Sequence, residues 1–142
     1  MTTIACSADE GVMISESKTT DGDVKWKSNK IERIRGSLIG GAGDCGEIEK
    51  FMKWFRVRGR KPQLNDSFNA LELSVDGLFL WDKKLSPYPP GQEFHAIGTG
   101  SKAAIAARLM GADCKRAVEI ACEVDDASEG PLQIFHLKEV AS

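Results

Sequence analysis

Short apolar runs separated by glycine and polar turns make up most of the hydrophobic pattern of this chain. Residues 3–8 and 12–16 read as the two strands of a hairpin, joined by an Asp-Glu-Gly turn at residues 9–11. The polar segment 18–29 contains an Asp-Gly pair and is typical of a loose hairpin. Further short strands are predicted at residues 31–34 and 37–40. The first residues of the chain are therefore expected to lie in or beside a β-sheet.

Helical spacing appears after a glycine-rich stretch at residues 40–43. One face of the predicted helix carries four large apolar side chains: Ile48, Phe51, Met52 and Phe55. Asp44 is the predicted N-cap, and Glu47, three residues later, would complete a capping box. A polar linker at residues 59–65 then leads to the next strand.

The second half of the chain alternates strands and helices. Its predicted elements are a hairpin of strands 70–75 and 78–81 around Asp76-Gly77, a strand at 94–98, helices at 102–110 and 115–124, and a closing strand at 132–137. Helices that come in blocks between antiparallel hairpins favour an α+β fold over a doubly wound parallel sheet. The length of 142 residues suits a single domain, residues 1–142.

Charge and composition argue against several classes of function. The formal net charge is −2 and the pI is about 5.7, whereas a nucleic-acid or anionic-membrane partner would need a basic surface. No apolar stretch approaches the roughly 20 residues that span a bilayer, and the first residues lack the pattern of a signal peptide. We therefore expect a cytoplasmic protein with no nucleic-acid and no membrane partner.

The cysteines and histidines show no spacing that is typical of a metal or redox site. They form neither a CxxC pair nor a metal-ligand pattern: Cys6, Cys45, Cys114, Cys122, His95 and His136. Cytoplasmic thiols stay reduced, and we interpret all four cysteines as small buried apolar side chains. A Cys–His nucleophilic site stays open as an alternative without local support. No metal and no organic cofactor is predicted.

The first candidate for chemistry is Thr2, which heads the first predicted strand. We expect Met1 to be removed, because the side chain at position 2 is small. The Thr2 hydroxyl would then be a nucleophile with its own α-amine as general base, since an α-amine titrates near about 8. Many chains begin with Met-Thr-Thr by chance, so Thr2 gains weight only from three further features.

Lys30, at the start of the strand 31–34, is the second feature. A lysine beside a hydroxyl nucleophile can lower its pKa if a carboxylate holds the lysine in place. Glu16, at the end of the second predicted strand, is the candidate for that carboxylate. The alternative is a solvated lysine on the surface.

Glycines between a strand and a helix are the third feature. The backbone N–H of Gly40, or of its neighbour Gly41, could bind a developing oxyanion near the N-terminus of a helix. A tight turn between strand and helix is the other interpretation, and the two are compatible.

Hydroxyl and carboxylate side chains near two later loops are the fourth feature. Thr99 precedes the helix 102–110, and Asp125 and Ser128 precede the last strand. Such groups can orient a terminal amine by hydrogen bonding. The alternatives are a helix N-cap for Thr99 and an ordinary loop for the other two. Gly-Thr-Gly-Ser-Lys at residues 98–102 lacks the spacing of a phosphate-binding loop.

The order and separation of these features resemble the proteasome β-subunit and HslV family of N-terminal nucleophile (Ntn) hydrolases. The matching segments are 2–4 and 11–14 for the first hairpin, 16–20 for the "DSRAT" turn, 30–34 for the lysine-bearing strand, 40–45 for the "GGAADC" loop, 97–100 for the "VGSG" turn, and 125–137 for the "D-A-Y-S-G-G" loop and last strand.

The resemblance implies a four-layer αββα sandwich and a threonine-type peptidase. It makes Thr2 the nucleophile, Lys30 the lysine that tunes it, and Gly40 or Gly41 the oxyanion donor. Three more residues would surround the Thr2 amine: Asp125, Ser128 and Thr99. It also implies peptide or unfolded-protein substrates, a ring-like homo-oligomer, and an ATP-dependent unfoldase as a partner.

Three departures from the family pattern stand out. Glu16 replaces the usual Asp, and Thr99 replaces the usual Ser. The segment 55–70 is too short for the family's second helix, so that helix is expected to be shortened or absent. Two other functions remain as alternatives: a catalytically inactive scaffold or assembly protein of the same fold, and an Ntn amidase that acts on a small amide.

Overall fold

The computed structural model describes residues 2–21, 24–27, 30–125 and 131–138 of the chain. Within these ranges the strands are β1 Thr3–Ser7, β2 Val12–Ser15, β3 Lys18–Asp21, β4 Val24–Lys27, β5 Ile31–Ile34, β6 Ser37–Ala42, β7 Asn69–Ser74, β8 Gly77–Asp82, β9 Phe94–Gly98 and β10 Gln133–His136. The helices are α1 Cys45–Val57, α2 Ser101–Leu109 and α3 Cys114–Val124. None of the helices in the described ranges has the length and apolar character to cross a bilayer.

Most of the strands form two antiparallel sheets of four strands each. The first sheet has the order β10-β2-β1-β9, the second has the order β5-β6-β7-β8, and β3 pairs with β4 apart from both. Strand β1 has neighbours on both sides, because Ile4 lies opposite Ser15 of β2 and opposite Ile97 of β9. The residue before β1, Thr2, therefore lies at the end of a central strand.

Apolar side chains on alternate sides of the strands divide the core into three clusters. Helices α2 and α3 pack on one face of the first sheet through side chains that include Ala5, Ile14, Ala96, Ala104, Ala117 and Val118. The two sheets pack on each other through side chains that include Ile4, Cys6, Met13, Ile31, Leu38 and Leu71. This alternation follows from the two-residue period of a strand, which points successive side chains to opposite faces.

Aromatic side chains hold α1 against the outer face of the second sheet. The third core cluster includes Phe51, Trp54, Phe55, Phe68 and Trp81. The ring centroids of Phe51 and Phe68 are 4.8 Å apart, and Trp81 stands edge-on to Phe55 at 5.7 Å. Such pairs favour one packing arrangement beyond the area that they bury. They therefore fix α1 relative to β8 of the second sheet.

Each strand and helix that the sequence predicts has a counterpart in the described ranges, and the missing helix is confirmed. Residues 58–68, between α1 and β7, contain turns and irregular backbone without a helix. As a result, α1 is the helix that covers the outer face of the second sheet within the described part of the chain.

Asp44 is the N-cap residue of α1, as predicted, but two other local predictions near this helix were wrong. The Asp44 side chain makes no capping hydrogen bond, and its Oδ2 accepts one from Asn65 Nδ2 at 3.2 Å instead. Glu47 Oε2 accepts from the backbone N–H of Asn65 at 2.7 Å, so both carboxylates anchor the linker and the capping box does not form. The glycine stretch is also not a loop, because β6 continues to Ala42 beside β7.

Helix α2 buries two of its alanines and exposes Ala106 and the apolar residues at its C-terminal end. Ala104 and Ala107 are buried against the first sheet, and Ala103 is partly buried there. Leu109 and Met110, at the other end of the helix, are 78% and 88% exposed. The large apolar side chains that this helix exposes therefore lie at its C-terminal end.

Candidate active site

Thr2 is buried at the start of β1, where two glycines let the chain approach it closely. Gly98 has a φ of +94°, and a Cβ atom there would lie 1.9 Å from the carbonyl oxygen of Thr2. A Cβ atom at Gly100 would lie 2.0 Å from Thr3 Oγ1. Glycine alone fits at these distances, so contact with Thr2 and Thr3 explains the Gly-Thr-Gly turn.

Lys30 and Glu16 lie together at the hydroxyl of Thr2. Lys30 Nζ donates to Thr2 Oγ1 at 2.9 Å and to Glu16 Oε1 at 2.6 Å. The side chains of this ion pair are only 8% and 0% exposed. The alternative of a solvated Lys30 was therefore wrong. The extra methylene of Glu16, compared with the Asp usual in the resembling family, still lets the carboxylate reach the ammonium.

Three backbone and side-chain hydrogen bonds fix the positions of Glu16 and Lys30. The Thr3 N–H donates to Glu16 Oε1 at 3.2 Å, and the Lys30 N–H donates to Gln133 Oε1 at 3.1 Å. The Ser15 hydroxyl donates to the same Gln133 oxygen at 3.3 Å. Sequence reasoning missed Gln133, because no local pattern reveals that β10 lies beside β2 and next to Lys30.

Thr99 and Asp125 form a hydrogen-bonded pair on the β9 side of Thr2. Thr99 Oγ1 donates to Asp125 Oδ2 at 2.6 Å, and it lies 3.5 Å from the carbonyl oxygen of Thr2. Gly100, not Thr99, is the N-cap residue of α2, so the interpretation of Thr99 as a helix cap was wrong. Two further residues of the predicted site lie outside the described ranges: Met1 and Ser128.

Gly40 and Gly41 lie in β6 and point to opposite faces of the second sheet. A Cβ atom at Gly40 would lie 3.0 Å from Ile4 Cγ2, and one at Gly41 would lie 2.9 Å from Ile48 Cγ2. Gly40 therefore packs directly over β1, two residues after Thr2. This close packing accounts for both glycines, and the role of their N–H groups in binding an oxyanion stays a prediction.

A cleft of about 810 Å³ opens beside Thr2. One wall consists of β9 and the start of α2, including His95 and Thr99, and the other consists of the start of α1 and the residues before β7, including Cys45 and Ser67. Clefts of about 300–1,000 Å³ are typical of sites that enclose a ligand. The volume is therefore that of a cleft that can enclose a ligand in contact with Thr2.

Burial separates Cys45 from the other three cysteines. Cys45 is exposed on the wall of the cleft, so the prediction that all four thiols are buried was wrong for this residue. Burial raises the pKa of Cys6 well above its ordinary value, that of Cys114 to about 12, and that of Cys122 to about 11. Thiols with such values carry almost no thiolate at neutral pH.

Comparisons with known proteins place the fold. No family model matches the sequence, and a search of curated proteins found no match. HslV from Trypanosoma brucei superposes with a TM-score of 0.70 at 20% identity, over 94% of this chain and 97% of that chain. The bacterial proteasome homologue (BPH) of Thiobacillus denitrificans in complex with epoxomicin gives a TM-score of 0.72 at 18% identity, over 96% and 100%. A second BPH structure gives 0.70 at 16% identity, over 96% and 98%.

The chain has an Ntn-hydrolase fold of the proteasome and HslV kind. The resemblance inferred from the sequence motifs is thereby confirmed at the level of the fold. This proteasome/HslV-like fold is α+β, with three helices and two four-stranded antiparallel sheets in the described ranges. At 16–20% identity the likeness concerns the backbone.

Proposed function

We propose that the chain is a threonine-type peptidase that hydrolyses peptide bonds through an acyl-enzyme on Thr2, after Met1 has been removed. The observation that carries this proposal is the 2.9 Å contact between Lys30 Nζ and Thr2 Oγ1, made by a lysine that is paired with buried Glu16. A buried ion pair adds little net stability compared with apolar side chains of similar size. Structural stability alone therefore does not account for the Lys30–Glu16 pair beside the Thr2 hydroxyl, as a scaffold protein would require.

The first half of the reaction acylates the enzyme. Thr2 Oγ1 attacks the carbonyl carbon of the substrate while the Thr2 α-amine takes the hydroxyl proton. The Lys30 ammonium, held by Glu16, stabilises the negative charge that develops on Oγ1. The N–H of Gly40, or of Gly41, donates to the oxyanion of the tetrahedral intermediate. The C–N bond then breaks, the α-ammonium gives its proton to the leaving amine, and an ester remains on Thr2.

The second half releases the product. The α-amine takes a proton from water, the resulting hydroxide attacks the ester carbonyl, and the C–O bond to Thr2 breaks as Oγ1 regains a proton. Thr99, Asp125 and Ser128 orient the α-amine by hydrogen bonding. The 2.6 Å bond from Thr99 to Asp125 supports this role, because it aligns a hydroxyl and a carboxylate on the β9 side of Thr2.

We also propose that one domain, residues 1–142, forms the four-layer αββα sandwich. The three core clusters support this order of layers: α2 and α3 on the first sheet, the first sheet on the second, and the second sheet on α1. Within the described ranges, the layer of α1 has one helix, whereas the opposite layer has two, α2 and α3, because residues 58–68 contain no helix.

The proposed partners are peptide or unfolded-protein substrates and further copies of this chain. Leu109 and Met110 support a homo-oligomer, because large apolar side chains exposed side by side are typical of a contact surface. An ATP-dependent unfoldase stays a prediction of the resemblance.

The experiment that tests this function is an assay of Met1-free protein with fluorogenic peptides and with small amides. Wild-type protein should cleave peptides, and Thr2→Ala should lose activity by several orders of magnitude. Thr2→Ser, which keeps the hydroxyl, is the matched control and should retain measurable turnover. Cleavage of small amides alone would favour the amidase alternative. Absence of turnover on both kinds of substrate would favour the scaffold.

A further inference from the structure

His95 is a polar side chain on the cleft that the mechanism above does not use. It belongs to β9, one of the two edge strands of the first sheet, and it lies on the same face as Ile97, which packs between the sheets. Its Nδ1 is buried and has no hydrogen-bond partner among the described residues. Nε2 likewise has no hydrogen-bond partner among the described residues, but it is not fully buried. Because His95 lines the cleft, Nε2 is the ring nitrogen that faces it.

The burial of Nδ1 bears on which of the two ring nitrogens of His95 carries the proton. With either tautomer the buried Nδ1 has no partner among the described residues. We assign the proton of the neutral ring to Nε2, because a buried N–H without an acceptor is rarer in proteins than a buried acceptor without a donor. Burial also lowers the pKa of His95 below its ordinary value, which further disfavours the imidazolium. The cleft is thus lined by an uncharged N–H donor, whose natural partner is a carbonyl oxygen.

The cleft lies on the opposite side of Thr2 from Lys30. In the stacked sheets β2 lies over β5, whereas β9 lies over β7. Lys30 and Glu16 belong to the β2–β5 side, and His95 belongs to the β9–β7 side. Gly40 lies between the two sides, because it pairs with Ile31 of β5 and with Leu71 of β7. A peptide whose acyl part lies on the Lys30 side of Thr2 would therefore place its leaving part in the cleft.

We propose that His95 binds a backbone carbonyl oxygen of the substrate through Nε2–H, on the leaving-group side of the scissile bond. The contact selects peptides that continue beyond the cleavage site over substrates with a short leaving group. This inference rests on the proposed peptidase function, and it adds a specificity-determining residue to that function.

Two substrates with the same acyl sequence test the proposal. One ends in a 2-naphthylamide, which has no carbonyl in its leaving group, and the other is an internally quenched peptide with three residues after the scissile bond. The measured quantity is the ratio of kcat/KM for the quenched peptide to kcat/KM for the naphthylamide. The ratio should fall about tenfold in His95→Phe, which keeps a ring and removes the donor. It should fall much less in His95→Gln, whose amide nitrogen is as many bonds from Cβ as Nε2.

Thermal unfolding and a second histidine serve as controls. Phe removes the unpartnered Nδ1, so His95→Phe should unfold at the same temperature as wild type or at a higher one. His136, on β10, is exposed, and His136→Phe should leave the ratio unchanged. An unchanged ratio in His95→Phe, an equal fall in His95→Gln, or a fall that comes with lost thermal stability would each overturn the inference. If wild-type protein cleaves neither substrate, the proposed peptidase function itself is wrong and the inference falls with it.

Discussion

The carbonyl oxygen of Thr2 lies so close to the α-carbon of Gly98 that a Cβ atom there would be only 1.9 Å away. The φ of Gly98, +94°, adds backbone strain for any other residue. We predict that Gly98→Ala lowers the free energy of unfolding by at least about 3 kcal/mol and abolishes activity, because β1 or β9 must move. Chemical denaturation and the peptide assay measure the two effects.

Gly111 offers a matched control for this substitution. Its φ is +104°, but a Cβ atom there would have no neighbour within 4 Å. Gly111→Ala therefore introduces strain without a clash and should cost about 1–2 kcal/mol. Equal losses of stability in Gly98→Ala and Gly111→Ala would show that contact with Thr2 does not govern position 98.

Lys30 is predicted to affect both turnover and stability. Lys30→Ala should lower turnover by orders of magnitude, because no ammonium remains at Thr2 Oγ1. It also leaves the carboxylate of Glu16 buried without its cation, which should cost about 3–5 kcal/mol of stability. Lys30→Arg should fail nearly as badly in turnover, because the guanidinium is larger and planar.

Turnover of the Lys30 variants should be measured below their unfolding temperatures, so that lost stability does not lower it. Lys50→Ala serves as the control. Lys50 is largely exposed and pairs with Glu47 within α1, so its loss should change turnover little and stability by less than about 1 kcal/mol. Near wild-type turnover by Lys30→Arg at saturating peptide would remove Lys30 from the mechanism.

Native thiol reactivity should single out Cys45. In iodoacetamide at pH 8, Cys45 is expected to be alkylated first because it is exposed, whereas Cys6 and Cys114 are buried and have raised pKa values. Mass mapping after a short reaction measures the order, and all four thiols should react in denaturant. Alkylation should also lower peptide turnover, since Cys45 lines the cleft with Thr2. Cys45→Ser should resist that inhibition. Labelling of Cys114 ahead of Cys45 would show that Cys114 is not the buried thiol, or Cys45 not the exposed one.

The strands and helices were predictable because they depend on local pattern. The alternation in β7 and β8 and the helical spacing of Phe51, Met52 and Phe55 follow from the sequence and recur in the structure. The absence of a helix at residues 58–68 was also predictable, because the segment is short and polar. Such local patterns predict structure well because burial of one apolar face stabilises the strand or helix that presents it.

Features that depend on distant contacts were not predictable. Gln133 contacts Lys30 only because β10 pairs with β2, and Glu47 contacts Asn65 and not a helix cap only because the linker folds back on α1. Likewise, His95 shares a cleft with Thr2 because β9 is the edge strand next to β1. No short window of sequence contains these relationships.

Helix α2 is predicted to contribute to assembly through its C-terminal end. Ala103 and Ala107 pack toward the first sheet of their own chain, so they are not available for a contact between chains. The double variant Leu109→Glu with Met110→Glu should instead dissociate the oligomer, because both side chains are exposed. Light scattering at tens of micromolar protein measures the size of the species.

Val75 provides the control for the assembly test. It is 87% exposed in the turn between β7 and β8, away from α2, so Val75→Glu should leave the oligomer intact. A wild-type protein that is monomeric at this concentration would refute the homo-oligomer. Equal dissociation by Val75→Glu would move the interface away from α2.

The central claim is that Thr2 is the nucleophile, and the residue that carries the acyl group tests it most directly. Met1-free protein that is turning over a peptide 4-nitrophenyl ester can be quenched in acid within milliseconds and mapped by mass spectrometry. We predict one acyl group, attached to Thr2, which is absent from Thr2→Ala, strongly reduced in Lys30→Ala and retained in Cys45→Ala. An acyl group on the Cys45 thiol, or turnover with no acyl group on Thr2, would contradict the account.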